Sequence, residues 1–191
     1  MTQSVQTTGS QDKRSLQERL RARLRGTAPR DCALLLDISG SMEAYCGANV
    51  KQIDELRKLA GKFLGVRQFY FASDADEIPA GGEIPDPRGG TDLALGLDTV
   101  KAAGVKHVIV ITDGEPNSKA DALRSAGGLK IDCFYVGPDG NAQAKEFLER
   151  LASGSGGTYG SASFEFARAL EEKVRLCLGP GAAEQKGPIV L

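Results

Sequence analysis

Residues 32–42 read C-A-L-L-L-D-I-S-G-S-M, an apolar run that ends in Asp37 and is followed by Ser39 and Ser41 at alternate positions. A short continuous apolar run closing on Gly and Ser is the pattern of a buried parallel strand, because such strands are covered on both faces and need not alternate. The loop after it then lies at the carboxyl edge of the sheet. Open α/β sheets bind ligands there, outside the strand ends. One carboxylate and two hydroxyls in that position make a cation-binding loop.

Working outward, K-H-V-I-V-I-T-D-G (residues 106–114) repeats the same pattern, an apolar strand ending in Asp113. Between the two, Val50, Ile53, Leu56, Ala60, Phe63 and Leu64 keep a helical period and predict a helix over 49–64. R-Q-F-Y-F-A (67–72) predicts a strand, and E-I-P-A (77–80) a weaker one whose proline suits a sheet edge. The short separation makes these two an antiparallel pair. A glycine- and proline-rich loop over 81–90 ends at Thr91, where a helix through Leu93, Leu97 and Val100 begins. Beyond the second Asp-tipped strand come a helix at 118–126, a strand at 131–136, a helix at 141–152 and a short strand at Thr158-Tyr159. A last helix carries Phe164, Ala167, Leu170, Val174 and Cys177 on one side. The alternation predicts a Rossmann-like, doubly wound α/β fold: a mostly parallel sheet, one antiparallel edge strand, and helices on both faces.

The 191 residues fit one domain, expected over 30–178. Ahead of it stands a polar segment, 1–29, in which Ser15-Leu16-Gln17-Glu18 has the form of a capping box and Leu16, Leu20 and Leu24 form an apolar stripe among arginines. A short basic amphipathic helix is predicted at 15–25, and a flexible tail over 179–191. A formal net charge of -1 gives no field favouring nucleic acid or an acidic membrane. No apolar stretch approaches the roughly 20 residues of a spanning helix, and the first residues lack the apolar core of a secretory signal, so a cytoplasmic location is expected. The four cysteines show no metal-like spacing; Cys32, Cys133 and Cys177 read as buried apolar residues and Cys46 as an exposed thiol.

Asp37 with Ser39 and Ser41, Thr91 with Asp92, and Thr112 with Asp113 are three groups of hard oxygen ligands that this fold brings to one rim. Oxygen donors without His or Cys suit Mg²⁺, Mn²⁺ or Ca²⁺ and disfavour zinc. Asp37, Asp92, Asp113 and Glu115 in one crevice would repel one another without a cation. Taken singly, the Ser-Gly-Ser turn, Asp113-Gly114 and Thr91-Asp92 are each ordinary turn or helix-capping sequences. Their concordance is what carries the reading.

With these residues in place, the chain resembles a von Willebrand factor type A domain with a metal-ion-dependent adhesion site, over residues 30–178. The D-x-S-x-S loop, the Thr after G-G (89–90), the Asp closing the central strand, F-A-S-D-A-D-E-I-P (71–79) and T-D-G-E-P-N (112–117) carry the resemblance. It implies that Asp37, Ser39, Ser41, Thr91 and Asp113 hold one divalent cation, with Met42, Asp92 and Glu115 on the partner-binding rim. It also implies that an acidic side chain of a partner protein completes the coordination, and that the role is a non-enzymatic adaptor, as in assemblies with AAA+ ATPases. Neutral hydroxyl ligands keep the cation attractive to such a carboxylate. A Mg²⁺-dependent phosphotransfer enzyme of haloacid dehalogenase type is the alternative, but it needs a second Asp where this chain has Ser39. The single histidine, His107, starts a strand away from the rim and offers no base to a Ser nucleophile there. A third possibility is an interaction role without metal, through the N-terminal basic helix.

Overall fold

A computed structural model of the protein describes residues 31–47, 49–162 and 166–178. The predicted basic helix at 15–25, Phe164 and the tail from 179 lie outside the described residues.

β1 (Cys32–Asp37) is buried at all six positions, which explains its unbroken apolar sequence. A single 3₁₀ turn (Gly40–Glu43) leads into a two-stranded antiparallel ribbon, β2 (Tyr45–Gly47) and β3 (Val50–Lys51), and then into α1 (Gln52–Gly61). The ribbon replaces the first turn of the helix predicted from 49. Asn49 takes a left-handed conformation (φ 63°), which ends helical continuity there. β4 (Arg67–Phe71) and β5 (Ala75–Ile78) pair antiparallel, Phe71 opposite Ala75. β5 is thus set two residues earlier than its prediction, with Pro79 just beyond it. The remaining elements are α2 (Leu93–Ala102), β6 (His107–Thr112), α3 (Lys119–Ser125), β7 (Lys130–Tyr135), α4 (Ala142–Gly154), β8 (Tyr159–Ser161) and α5 (Phe166–Leu178).

The main sheet has the order β5-β4-β1-β6-β7-β8, parallel except for β5 at one edge. The chain winds from β1 through β4 in one direction and from β6 through β7 in the other. β1 and β6 therefore flank the point where the winding reverses, and it is outside the carboxyl ends of such strands that open α/β sheets bind ligands. Both faces are covered. Leu34, Leu36, Ile109 and Ile111 pack with Ile53, Leu56 and Leu59 of α1 and with Leu170 and Val174 of α5. Leu35, Val108 and Val110 pack with Leu97 and Val100 of α2, Ala122 of α3 and Leu148 of α4. Each of the valine, leucine and isoleucine side chains contributes about 1.5–3 kcal/mol of apolar burial. Gly96 lets α2 lie close to the sheet, since a Cβ there would stand 2.8 Å from Cβ of Phe71. Among the described residues no helix is long and apolar enough to cross a membrane.

Candidate functional site

The register Leu36↔Ile111 sets Asp37, at the end of β1, level with Thr112, at the end of β6. The Thr112 hydroxyl donates to Oδ2 of Asp37 across the strand pair, and the Ser39 backbone N–H donates to Oδ1 at 2.7 Å. Asp37 is fully buried, 0% exposed. Burial, and after it the charge of Asp113, push its carboxyl up to about 7, against the opposing hydrogen bonds from Ser39 and Thr112. Asp113 is also buried, and burial raises its carboxyl despite a hydrogen bond from the Ser41 hydroxyl at 2.7 Å. Ser39 Oγ and Ser41 Oγ lie 3.0 Å apart. Asp37, Ser39, Ser41, Asp113 and Thr112 thus form one hydrogen-bonded network at the carboxyl ends of β1 and β6, joined to Asp37 through the Ser39 amide. Among the described residues no Lys or Arg pairs with either carboxylate.

Thr91 arrives on the glycine-rich loop, which is tied down at several points. The Arg88 N–H donates to the Ile38 carbonyl at 2.7 Å, the Gly40 N–H to the Gly89 carbonyl at 3.2 Å, and the Asp92 N–H to the Ala72 carbonyl at 2.7 Å. Gly89 has φ 64°, and a Cβ there would fall 2.4 Å from the Ser73 hydroxyl, so a glycine is required. That hydroxyl accepts from the Gly90 N–H at 2.8 Å. Thr91 itself is held by Asn117 on both backbone groups: its N–H donates to Oδ1 of Asn117 at 3.1 Å and its carbonyl accepts from the Asn117 N–H at 2.8 Å. The Thr91 hydroxyl has no hydrogen-bond partner among the described residues.

The three predicted rim residues fare differently. Met42 is 0% exposed and packs in the core with Ile38 and Ile53, because the 3₁₀ turn directs it inward; it cannot face a partner. Asp92 is half-buried and caps α2, accepting from the Leu95 N–H at 3.1 Å. Glu115 is half-buried and pairs with Lys119 at 2.6 Å. Asn117, which holds Thr91, had no assigned role, and Thr112, expected among the oxygen donors of the rim, donates its hydroxyl to Asp37. Both lie in the T-D-G-E-P-N segment, but their partners are set by strand register and loop closure, which spacing alone does not show. Cys46 is half-buried, its thiol donating to the Val50 carbonyl at 3.5 Å, and is not the open thiol expected.

The donor set is two carboxylates with hydroxyls, all hard oxygens. Among the described residues no group of three or more His, Cys, Asp or Glu side chains is gathered to hold a metal. Any cation at this rim would depend on serine and threonine oxygens to supplement Asp37 and Asp113. That composition fits Mg²⁺, Mn²⁺ or Ca²⁺. It also fits the two buried carboxylates, which have hydroxyl donors but no basic counter-charge.

A family model described as the von Willebrand factor type A domain matches residues 81–161. Among solved structures, von Willebrand factor type A from Catenulispora acidiphila is similar at 19% identity and a TM-score of 0.61, over 78% of this chain. The match spans 42% of that protein's chain. The manganese-loaded TRAP protein of Plasmodium vivax is similar at 23% identity and a TM-score of 0.55, over 80% of this chain and 74% of that one. No curated protein matches. The fold is that of a von Willebrand factor type A domain.

Proposed function

We propose that the chain is a metal-dependent protein-binding module, in which Asp37, Ser39, Ser41, Thr91 and Asp113 hold one divalent cation that engages an acidic side chain of a partner protein. The observation that carries this reading is the buried Asp37–Asp113 pair, linked through the Ser39 amide and the Ser39 and Ser41 hydroxyls and lacking a basic partner among the described residues. Two carboxylates in such a setting repel, and a bound divalent cation supplies the positive charge that offsets both and attracts a further carboxylate. Asp37 and Asp113 carry the negative charge of the site. Ser39, Ser41 and Thr91 add neutral oxygens, so five donors leave an ion of about six ligands with a position to fill. Thr112 and the Ser39 amide fix both oxygens of Asp37, so that its carboxylate does not reorient when the partner binds or leaves.

Mg²⁺ is the proposed ion, with Mn²⁺ or Ca²⁺ as substitutes; the similar TRAP protein was solved loaded with manganese. The proposed setting is cytoplasmic, in an adaptor role within a larger assembly such as one built on an AAA+ ATPase. The test is capture from lysate with the wild-type chain and Asp37→Ala, each with Mg²⁺ or EDTA. Proteins retained by the wild type with Mg²⁺ and released by EDTA, yet not retained by Asp37→Ala, are the expected result. Retention indifferent to EDTA would sink the reading.

A further inference from the structure

The rim serines and Asp113 are linked to one another by side-chain hydrogen bonds, whereas the Thr91 hydroxyl has no such bond among the described residues. What orients Thr91 is its backbone. That backbone is held on both sides by a single residue, Asn117, through the reciprocal pair of hydrogen bonds at 3.1 and 2.8 Å. Asn117 is well placed to act as a fixed point: Pro116 before it is buried, and Ser118 after it caps α3 by accepting from the Asp121 N–H at 3.3 Å. The loop is shaped around the carboxamide as well. A Cβ on Gly90 would stand 3.0 Å from Nδ2 and 3.1 Å from Oδ1 of Asn117, tighter than such contacts normally are.

We infer that Asn117 is a positioning residue for the cation site: it clamps the Thr91 peptide groups and so aims an otherwise uncommitted hydroxyl at the rim. This rests on the cation reading above. A side chain that imitates a backbone strand, accepting from one N–H while its own N–H is accepted by the same residue, fixes two soft dihedrals at once. Loss of the Oδ1 acceptor frees Thr91 to rotate without removing any group from the core, because Asn117 is exposed.

The experiment is Mn²⁺ binding by calorimetry, with amide hydrogen exchange at Thr91 measured without Mn²⁺. Asn117→Ala is expected to weaken Mn²⁺ binding about tenfold, roughly 1.4 kcal/mol. Asn117→Asp, which keeps the acceptor, restores it. In a Thr91→Ala background the further change Asn117→Ala should cost nothing, because the residue acts only through Thr91. A tenfold loss that persists in that background would overturn the positioning role. Thr91 amide exchange should quicken in Asn117→Ala; exchange at the wild-type rate would also overturn it. Asp37→Ala separates the two claims. Binding lost in Asp37→Ala but intact in Asn117→Ala keeps the cation site and refutes the clamp, whereas binding intact in Asp37→Ala refutes the cation site, and Thr91 exchange still decides the clamp.

Discussion

Two aspartates of one sheet, on β1 and β7 with β6 between them, are both closed to solvent, Asp37 at 0% and Asp132 at 1% exposed, and they respond in opposite directions. Asp37, at the carboxyl end of β1, is pushed up to about 7 by burial and by Asp113. Asp132, within β7, is also pushed up by burial, but the hydrogen bonds from His107 and Thr158 outweigh it and hold the carboxyl well below the usual carboxylate range. Oδ1 of Asp132 accepts from both the N–H and the hydroxyl of Thr158, at 2.7 and 2.8 Å, and Oδ2 meets Nε2 of His107 at 2.5 Å. The difference is one of company. Asp132 is saturated by the fold, whereas Asp37 faces a second carboxylate and has hydroxyl and amide donors alone. A buried carboxylate completed internally serves the fold, and one left facing its like marks a candidate binding site.

The largest expected effect breaks the saturated side. Asp132→Ala strands the donors of His107 and Thr158 beside a cavity, and should destabilise the domain by about 3 kcal/mol in urea unfolding. A loss below about 1 kcal/mol would mean that the three donors find water easily and that the contrast is weaker than drawn. The pH dependence follows the lowered carboxyl. Its contribution is fully present above the unfolded value near 4 and is lost as pH falls toward the folded value. Wild-type stability should therefore drop more steeply below about pH 4 than that of Asp132→Ala, by at most about 1.4 kcal/mol per pH unit. Parallel slopes would contradict it.

A smaller effect sharpens the other side. Thr112→Val removes the hydroxyl that donates to Oδ2 of Asp37 and keeps the β-branched shape. The expected loss is about 1.5 kcal/mol, half that of the Asp132 change, because a single donor is removed. Equal losses at the two sites would erase the distinction between a saturated and an unsaturated carboxylate.

The sequence made one side of this contrast visible and hid the other. Asp37 and Asp113 stand out because each ends an apolar run, and buried parallel strands are written as such runs; from these the sheet, its winding and the rim could be read. Asp132 interrupts a run of the same kind, and its partners lie 25 and 26 residues away at His107 and Thr158, brought together by register alone. The bond from Thr112 to Asp37 and the hold of Asn117 on Thr91 were hidden for the same reason, spanning 75 and 26 residues. The ribbon at Tyr45–Lys51 was too short to show alternation, and Val50 was absorbed into the helical period of α1 although Asn49 turns left-handed just before it. Met42 was expected on the rim, but one residue along a 3₁₀ turn from Ser41 is enough to carry a side chain from surface to core.

The central claim is that the rim built on Asp37 holds a divalent cation. Calorimetric titration of the wild-type chain and of Asp37→Ala with Mn²⁺, both confirmed folded by circular dichroism, tests it most directly. One ion bound per wild-type chain and none by Asp37→Ala at the same concentrations is the predicted result; a wild type that binds no Mn²⁺, or a variant that binds it as tightly, would contradict the account.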